Sequence, residues 1–102
     1  MAIVDFTIIP VGTETTSVSK YVADIQHLLT RYQTEEKIKF QLTPMSTIIE
    51  GDLEDIFKII SEIHEEVFNK GTMRIATNIR IDDRRDKKSS MESKLKRVRD
   101  KM

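Results

Sequence analysis

Apolar residues recur at a spacing of two in four stretches of this chain and at spacings of three and four in three others. From Ala2 to Val11, Val4, Phe6 and Ile8 alternate with Ile3, Asp5, Thr7 and Ile9, which predicts a strand ended by Pro10 and Gly12. Val18, Tyr21, Val22, Ile25, Leu28, Leu29 and Tyr32 then form one stripe of a helix from about Val18 to Gln33. Thr16 or Ser17 is its expected cap, and Lys20, Asp24, Gln26, His27 and Arg31 face away. Ile38, Phe40 and Leu42 alternate with Lys39 and Gln41 in a second strand. Pro44 fixes its own φ and extends Thr43, so the chain is expected to reverse there and return as a strand through Thr47 to Glu50. Gly51 is expected to break that strand, and Asp52 to cap a helix from Leu53 to Asn69 with the stripe Ile56, Phe57, Ile60, Ile63, Val67 and Phe68. Gly71 suits a left-handed position after it. Met73 to Asp82 reads as the last strand, with Ile75, Thr77, Ile79 and Ile81 opposite Arg74, Ala76, Asn78, Arg80 and Asp82. Ser89 and Glu92 form a capping-box pattern before a final helix with the narrow stripe Met91, Leu95, Val98 and Met102.

The order strand, helix, strand, strand, helix, strand, with a helix appended, is the split βαβ pattern. The expected fold is α+β, a ferredoxin-like βαββαβ sandwich with an additional C-terminal helix, formed as one domain over residues 1–102. Right-handed crossovers put the first and third strands in the centre, with Phe6 and Ile8 neighbouring Thr47 and Ile49, and the second and fourth strands at the edges. Both helices then lie on one face of the sheet. Ile3 and Ile9 are left bare on the other, so self-association to a dimer or tetramer is expected.

Charge narrows the partners. The chain of 102 residues has 17 Lys and Arg against 17 Asp and Glu, which removes any global electrostatic attraction to nucleic acid or acidic lipid. The basic cluster Lys94, Lys96, Arg97, Arg99 and Lys101 has no interleaved aromatics for base stacking and reads as a solvated helix face. No cysteine is present, which excludes disulfides, thiolate metal sites and cysteine nucleophiles. No apolar run approaches a membrane span and no leader-like segment opens the chain, so a soluble cytoplasmic protein with no membrane partner is expected. The alternating acids and bases from Asp82 to Lys88 suggest local ion pairs rather than a metal site.

Glu50 stands out among the polar residues. It lies at the carboxyl end of a strand just before a helix, where sheets with helical crossovers commonly present ligand-binding groups. The hydroxyl-rich segment from Gly12 to Ser19 could hold an anion through backbone N–H groups, but it lacks the glycines and lysine of a phosphate cradle and reads as caps. His27 and His64 have no nucleophile or second histidine at a telling spacing.

Three blocks together resemble a known family: Ile9-Pro10-Val11-Gly12-Thr13 with Ser17-Val18-Ser19-Lys20-Tyr21-Val22; Leu42-Thr43-Pro44-Met45-Ser46-Thr47-Ile48-Ile49-Glu50-Gly51; and Arg74-Ile75 with Thr77 and Ile81-Asp82-Asp83-Arg84-Arg85-Asp86. The family is that of small thiamine-binding proteins. The resemblance covers nearly the whole chain and implies a ferredoxin-like fold, assembly into dimers and tetramers, and non-catalytic binding of thiamine or its hydroxymethylpyrimidine moiety, with no cofactor. Ser46 stands where that pattern usually has glycine, and a side chain there is expected to narrow a pocket that glycine leaves open. An aminopyrimidine presents a ring-nitrogen acceptor, an amine donor and flat apolar faces. Glu50 beside Thr47, with Thr43, Met45 and Asn78 lining the pocket, supplies matching groups. Two other classes stay open: a cofactor-free oligomeric enzyme with Glu50 or His64 as general base, and an interaction module using the open sheet face.

Overall fold

A computed structural model describes residues 1–12, 19–86 and 90–102, and only the backbone of Ser19 and Lys20. The expected caps Thr16 and Ser17, the rest of their hydroxyl-rich loop, and Lys87 to Ser89 lie outside the described residues. The elements run β1 (Ala2–Pro10), α1 (Ser19–Thr34), β2 (Ile38–Leu42), β3 (Thr47–Gly51), α2 (Leu53–Phe68), β4 (Ile75–Asp83) and α3 (Met91–Lys101). The four strands form one antiparallel sheet in the order β2-β3-β1-β4, the ferredoxin-like arrangement.

Register follows from burial of alternate residues. Val4, Phe6 and Ile8 on β1, Ile49 on β3 and Ile38 on β2 are buried beneath α1 and α2, joined there by Ile25, Leu28 and Leu29 and by Ile56, Ile59, Ile60, Ile63 and Val67. Burying each such side chain contributes about 1.5–3 kcal/mol, so this layer dominates the stability of the fold. Phe6 faces Thr47 as expected, but Ile49 faces Val4, not Ile8; antiparallel pairing carries Ile8 past the end of β3 to face Thr77 on β4. In α2 the buried stripe includes Ile59 and omits Phe57 and Phe68, which are exposed, because the helix turns its isoleucine edge to the sheet. At the sheet edge β4 is largely uncovered: only Ile75 and Thr77 are half-buried, and Ile79 and Ile81 on the same face are exposed.

Gly51 does not break β3. It is the last paired residue, facing Ala2 on one side and Ile38 on the other. A Cβ there would meet Ile38 Cγ2 at 3.1 Å and the Lys37 carbonyl oxygen at 3.2 Å, so close strand approach explains the glycine. Asp52 occupies the N-cap position of α2 without a side-chain capping bond, while Glu54 and Asp55 place negative charge in the first turn. Gly71 takes the expected positive φ, 98°, in the turn after the cap Asn69. Tyr32 on α1 donates to Glu62 on α2; partial burial first, and this carboxylate second, push its phenol up to about 12.

The appended helix differs in kind. None of the residues of α3 is buried, and Leu95 and Val98 are exposed. Its cap is Ser90 rather than Ser89: Ser93 N–H donates to Ser90 Oγ at 3.0 Å, and Ser90 N–H donates to Ser93 Oγ at 2.9 Å. The capping box is therefore closed by Ser93, not Glu92. Glu92 reaches Lys39 on β2 instead, at 3.9 Å, and Lys94 pairs with Asp82 on β4. Exposed pairs of this kind contribute less than about 1 kcal/mol each, so α3 rests lightly on the face of the sheet opposite α1 and α2.

Candidate functional site

Thr43-Pro44-Met45-Ser46 joins β2 to β3, and Thr43 holds its shape. Thr43 N–H donates to the Ser46 carbonyl at 2.8 Å, and its hydroxyl donates to the same oxygen at 2.8 Å. That hydroxyl also accepts from Ser46 N–H at 3.0 Å and Met45 N–H at 3.3 Å. The polar atoms of Thr43 are thus committed to the loop, whose inner side closes a pocket of about 280 Å3 between β1, α1 and the start of β3. Ile8, Ile25 and Pro44 contribute apolar walls.

Two polar side chains enter that wall. Gln26 on α1 donates through Nε2 to Thr47 Oγ1 at 3.1 Å, and Thr47 is buried. Gln26 Oε1 is enclosed and has no hydrogen-bond partner among the described residues. An enclosed acceptor left without a donor costs about 1–3 kcal/mol, so the amide is held unsatisfied where a donor could reach it. Gln26 does not face away from the apolar stripe as its polarity suggested. It lies four residues after Val22 and three before Leu29, a spacing that places it on the stripe's face and would have revealed it.

Glu50 is elsewhere. Thr47 and Glu50 are three apart on one strand and so lie on opposite faces of the sheet, Thr47 under the helices and Glu50 on the open face opposite Ile3 and Lys39. Their expected adjacency does not occur. Glu50 is only 4% exposed and has no ion-pair or hydrogen-bond partner among the described residues. Asn78, opposite Thr7, joins Met45, Asp5 and Arg80 around a shallow hollow on the open face. Thr43, Met45 and Thr47 therefore share one pocket, Met45 alone also touches the Asn78 hollow, and Glu50 belongs to neither.

The remaining candidates are structurally occupied. His64 Nδ1 donates to the Ile60 carbonyl at 2.8 Å and Nε2 shares a hydrogen bond with Thr77 Oγ1 at 2.7 Å, so the ring ties α2 to β4. His27 is exposed. Asp82, Asp83 and Asp86 pair with Lys94, Arg85 and Arg84, in keeping with local ion pairing. Among the described residues no group of three or more His, Cys, Asp or Glu is placed to hold a metal, and no helix is long and apolar enough to cross a membrane.

Residues 4–99 match the protein family described as thiamine-binding protein. The chain belongs to this family. A Bacillus subtilis (strain 168) member, the UPF0045 protein YqgV, is 65% identical over 98 residues, covering 96% of this chain and 94% of its own. The crystal structure of a hypothetical protein from Methanocaldococcus jannaschii superposes with a TM-score of 0.83 at 35% identity, over 95% of this chain and 94% of that one. A Thermotoga maritima structure, named as a candidate thiamine biosynthesis or salvage protein, has a TM-score of 0.76 at 16% identity, over 95% and 97% of the two chains, and shares the fold. The family carries a binding name and no catalytic one.

Proposed function

We propose that this member of the thiamine-binding protein family binds thiamine or its hydroxymethylpyrimidine moiety, without catalysis, in the pocket closed by the β2–β3 loop. One observation carries the reading: the Thr47 hydroxyl, with its proton uncommitted, lies beside the partnerless Gln26 Oε1. A donor next to an acceptor matches the ring nitrogen and exocyclic amine of an aminopyrimidine, Thr47 donating to the nitrogen and Gln26 accepting from the amine. The aliphatic walls suit the flat ring faces, and about 280 Å3 suits a small heterocycle. Met45, 84% exposed at the loop tip, is placed to fold over a bound ring. Thr43 contributes by holding the loop, and Glu50 and Asn78 are outside the site.

The same reading takes the whole chain as one binding unit of a cytoplasmic homo-oligomer, without nucleic acid or membrane partners. It is supported by the exposed Ile9 on the open sheet face and by zero net charge. Calorimetric titration of thiamine, hydroxymethylpyrimidine and thiamine diphosphate tests it. The first two bind, the diphosphate binds no better than thiamine, and Gln26→Leu weakens binding about ten-fold, the equivalent of about 1.4 kcal/mol. Absence of binding by the parent protein overturns the function; unchanged affinity in a folded Gln26→Leu protein overturns the site.

A further inference from the structure

The amide of Gln26 can meet Thr47 in two orientations, and its surroundings do not choose between them. In one, Nε2 donates to Thr47 Oγ1 at 3.1 Å and Oε1 is enclosed without a partner among the described residues. Half a turn of the amide exchanges its oxygen and nitrogen with little change of shape. The Thr47 hydroxyl then donates to Oε1, and Nε2 becomes the enclosed group that lacks a partner. Each orientation makes one hydrogen bond and leaves one polar atom unsatisfied, so the two are close in energy. No third group breaks the tie. Among the described residues the Gln26 side chain bonds to Thr47 alone, and the Thr47 hydroxyl to Gln26 alone. Ile25 and Leu29 beside Gln26 are apolar and buried, and the Thr43 hydroxyl, which also lines the pocket, is committed to its own loop.

The two orientations offer a ligand opposite patterns. In the first, the Thr47 hydroxyl proton is free to donate and Oε1 accepts. In the second, Thr47 Oγ1 accepts and Nε2 donates. A hydroxyl has one proton and lone pairs for either role, so Thr47 follows the amide. The bond between the side chains and the two bonds to the ligand therefore reverse together, and the enclosed end of the amide gains its missing partner either way.

We propose that Gln26 and Thr47 form a reversible donor and acceptor pair, so that the pocket takes the 4-oxo lactam form of the pyrimidine ring as well as the 4-amino form. This rests on the binding reading above and widens its ligand class. An aminopyrimidine sets a ring-nitrogen acceptor beside an amine donor and selects the first orientation. The lactam sets a ring N–H donor beside a carbonyl acceptor and selects the second. A pair fixed in the first orientation would face the lactam donor to donor and acceptor to acceptor, and buried sites of that kind reject the wrong partner by about 10,000-fold or more. A reversible pair holds both forms within about ten-fold of each other, because each form makes the same number of bonds.

Calorimetric titration of the intact protein with hydroxymethylpyrimidine and its 4-oxo counterpart, and with thiamine and oxythiamine, tests the proposal. Affinities within about ten-fold are expected in each pair. Thr47→Val should weaken both forms alike, by about ten-fold, since the hydroxyl serves both. Gln26→Glu keeps the acceptor and removes the donor, so it should weaken the oxo form at least about ten-fold more than the amino form. Gln26→Met, apolar and of similar size, removes both roles and should weaken both forms alike. An oxo form bound more than about ten-fold more weakly than the amino form overturns the reversible pair and leaves aminopyrimidine binding standing. Equal effects of Gln26→Glu on the two forms, or full affinity for both in folded Gln26→Glu and Thr47→Val proteins, also overturns it. Failure of the parent protein to bind any of the four compounds overturns the binding reading itself, and this proposal with it.

Discussion

Gly51 shows how one residue sets the spacing of two strands. Its neighbours on the β2 side include a backbone carbonyl, which has little room to retreat, as well as the flexible end of Ile38. Gly51→Ala is therefore expected to destabilise the protein by about 1–3 kcal/mol, the usual range for overpacking, measured as a lower midpoint of urea unfolding. An unchanged midpoint would mean that β2 moves freely away from β3. Gln26 makes the complementary point about polarity. A glutamine in an amphipathic helix reads as solvent-facing, yet here helical spacing outranks residue type and brings its amide to Thr47. The long reach of that contact, from α1 to β3, is why sequence inspection did not pair the two.

Among the elements, α2 and α3 are opposites. α2 buries a full stripe of isoleucines and its cap residue Asp52 makes no side-chain bond; α3 buries nothing and depends on the Ser90–Ser93 box. Losing a capping hydroxyl costs about 1 kcal/mol. Ser90→Ala is accordingly expected to unravel α3 locally, seen as faster amide exchange from Met91 to Lys101 with little change in global unfolding, whereas Asp52→Ala should leave α2 protection nearly intact. A fall in global stability with Ser90→Ala would show that α3 is coupled to the core. The strand and helix periodicities located all seven elements, but cap chemistry was misread by one position at α3 because serines at 89 and 90 offer two equivalent starts.

At the scale of the molecule, α1 and α2 cover the middle of one face of the sheet, and among the described residues the other face is crossed by the lightly held α3 alone. Ile9 and the half-buried Ile3 lie on that second face, and β4 leaves Ile79 and Ile81 partly open at the edge of the first. Covering these in a stable homo-oligomer requires an interface of more than about 2,000 Å2. Light scattering at micromolar concentration is expected to report a dimer or tetramer, and Ile9→Lys to shift it towards the monomer; a monomeric parent would refute this assembly.

Period-two and helical patterns, with the Pro44 turn and the breaks at Gly12 and Gly71, were enough to determine the order of elements, the α+β class and which alternate residues of β1 enter the core, because each depends only on neighbours within a few residues. Antiparallel register decided the rest. It matched Ile49 with Val4, and the pleat sent Thr47 and Glu50 to opposite faces, dividing what looked like one site between them. The pairing of Gln26 with Thr47 and the enclosure of Glu50 beneath α3 required elements distant in sequence to meet, and only the packed tertiary structure brings them together.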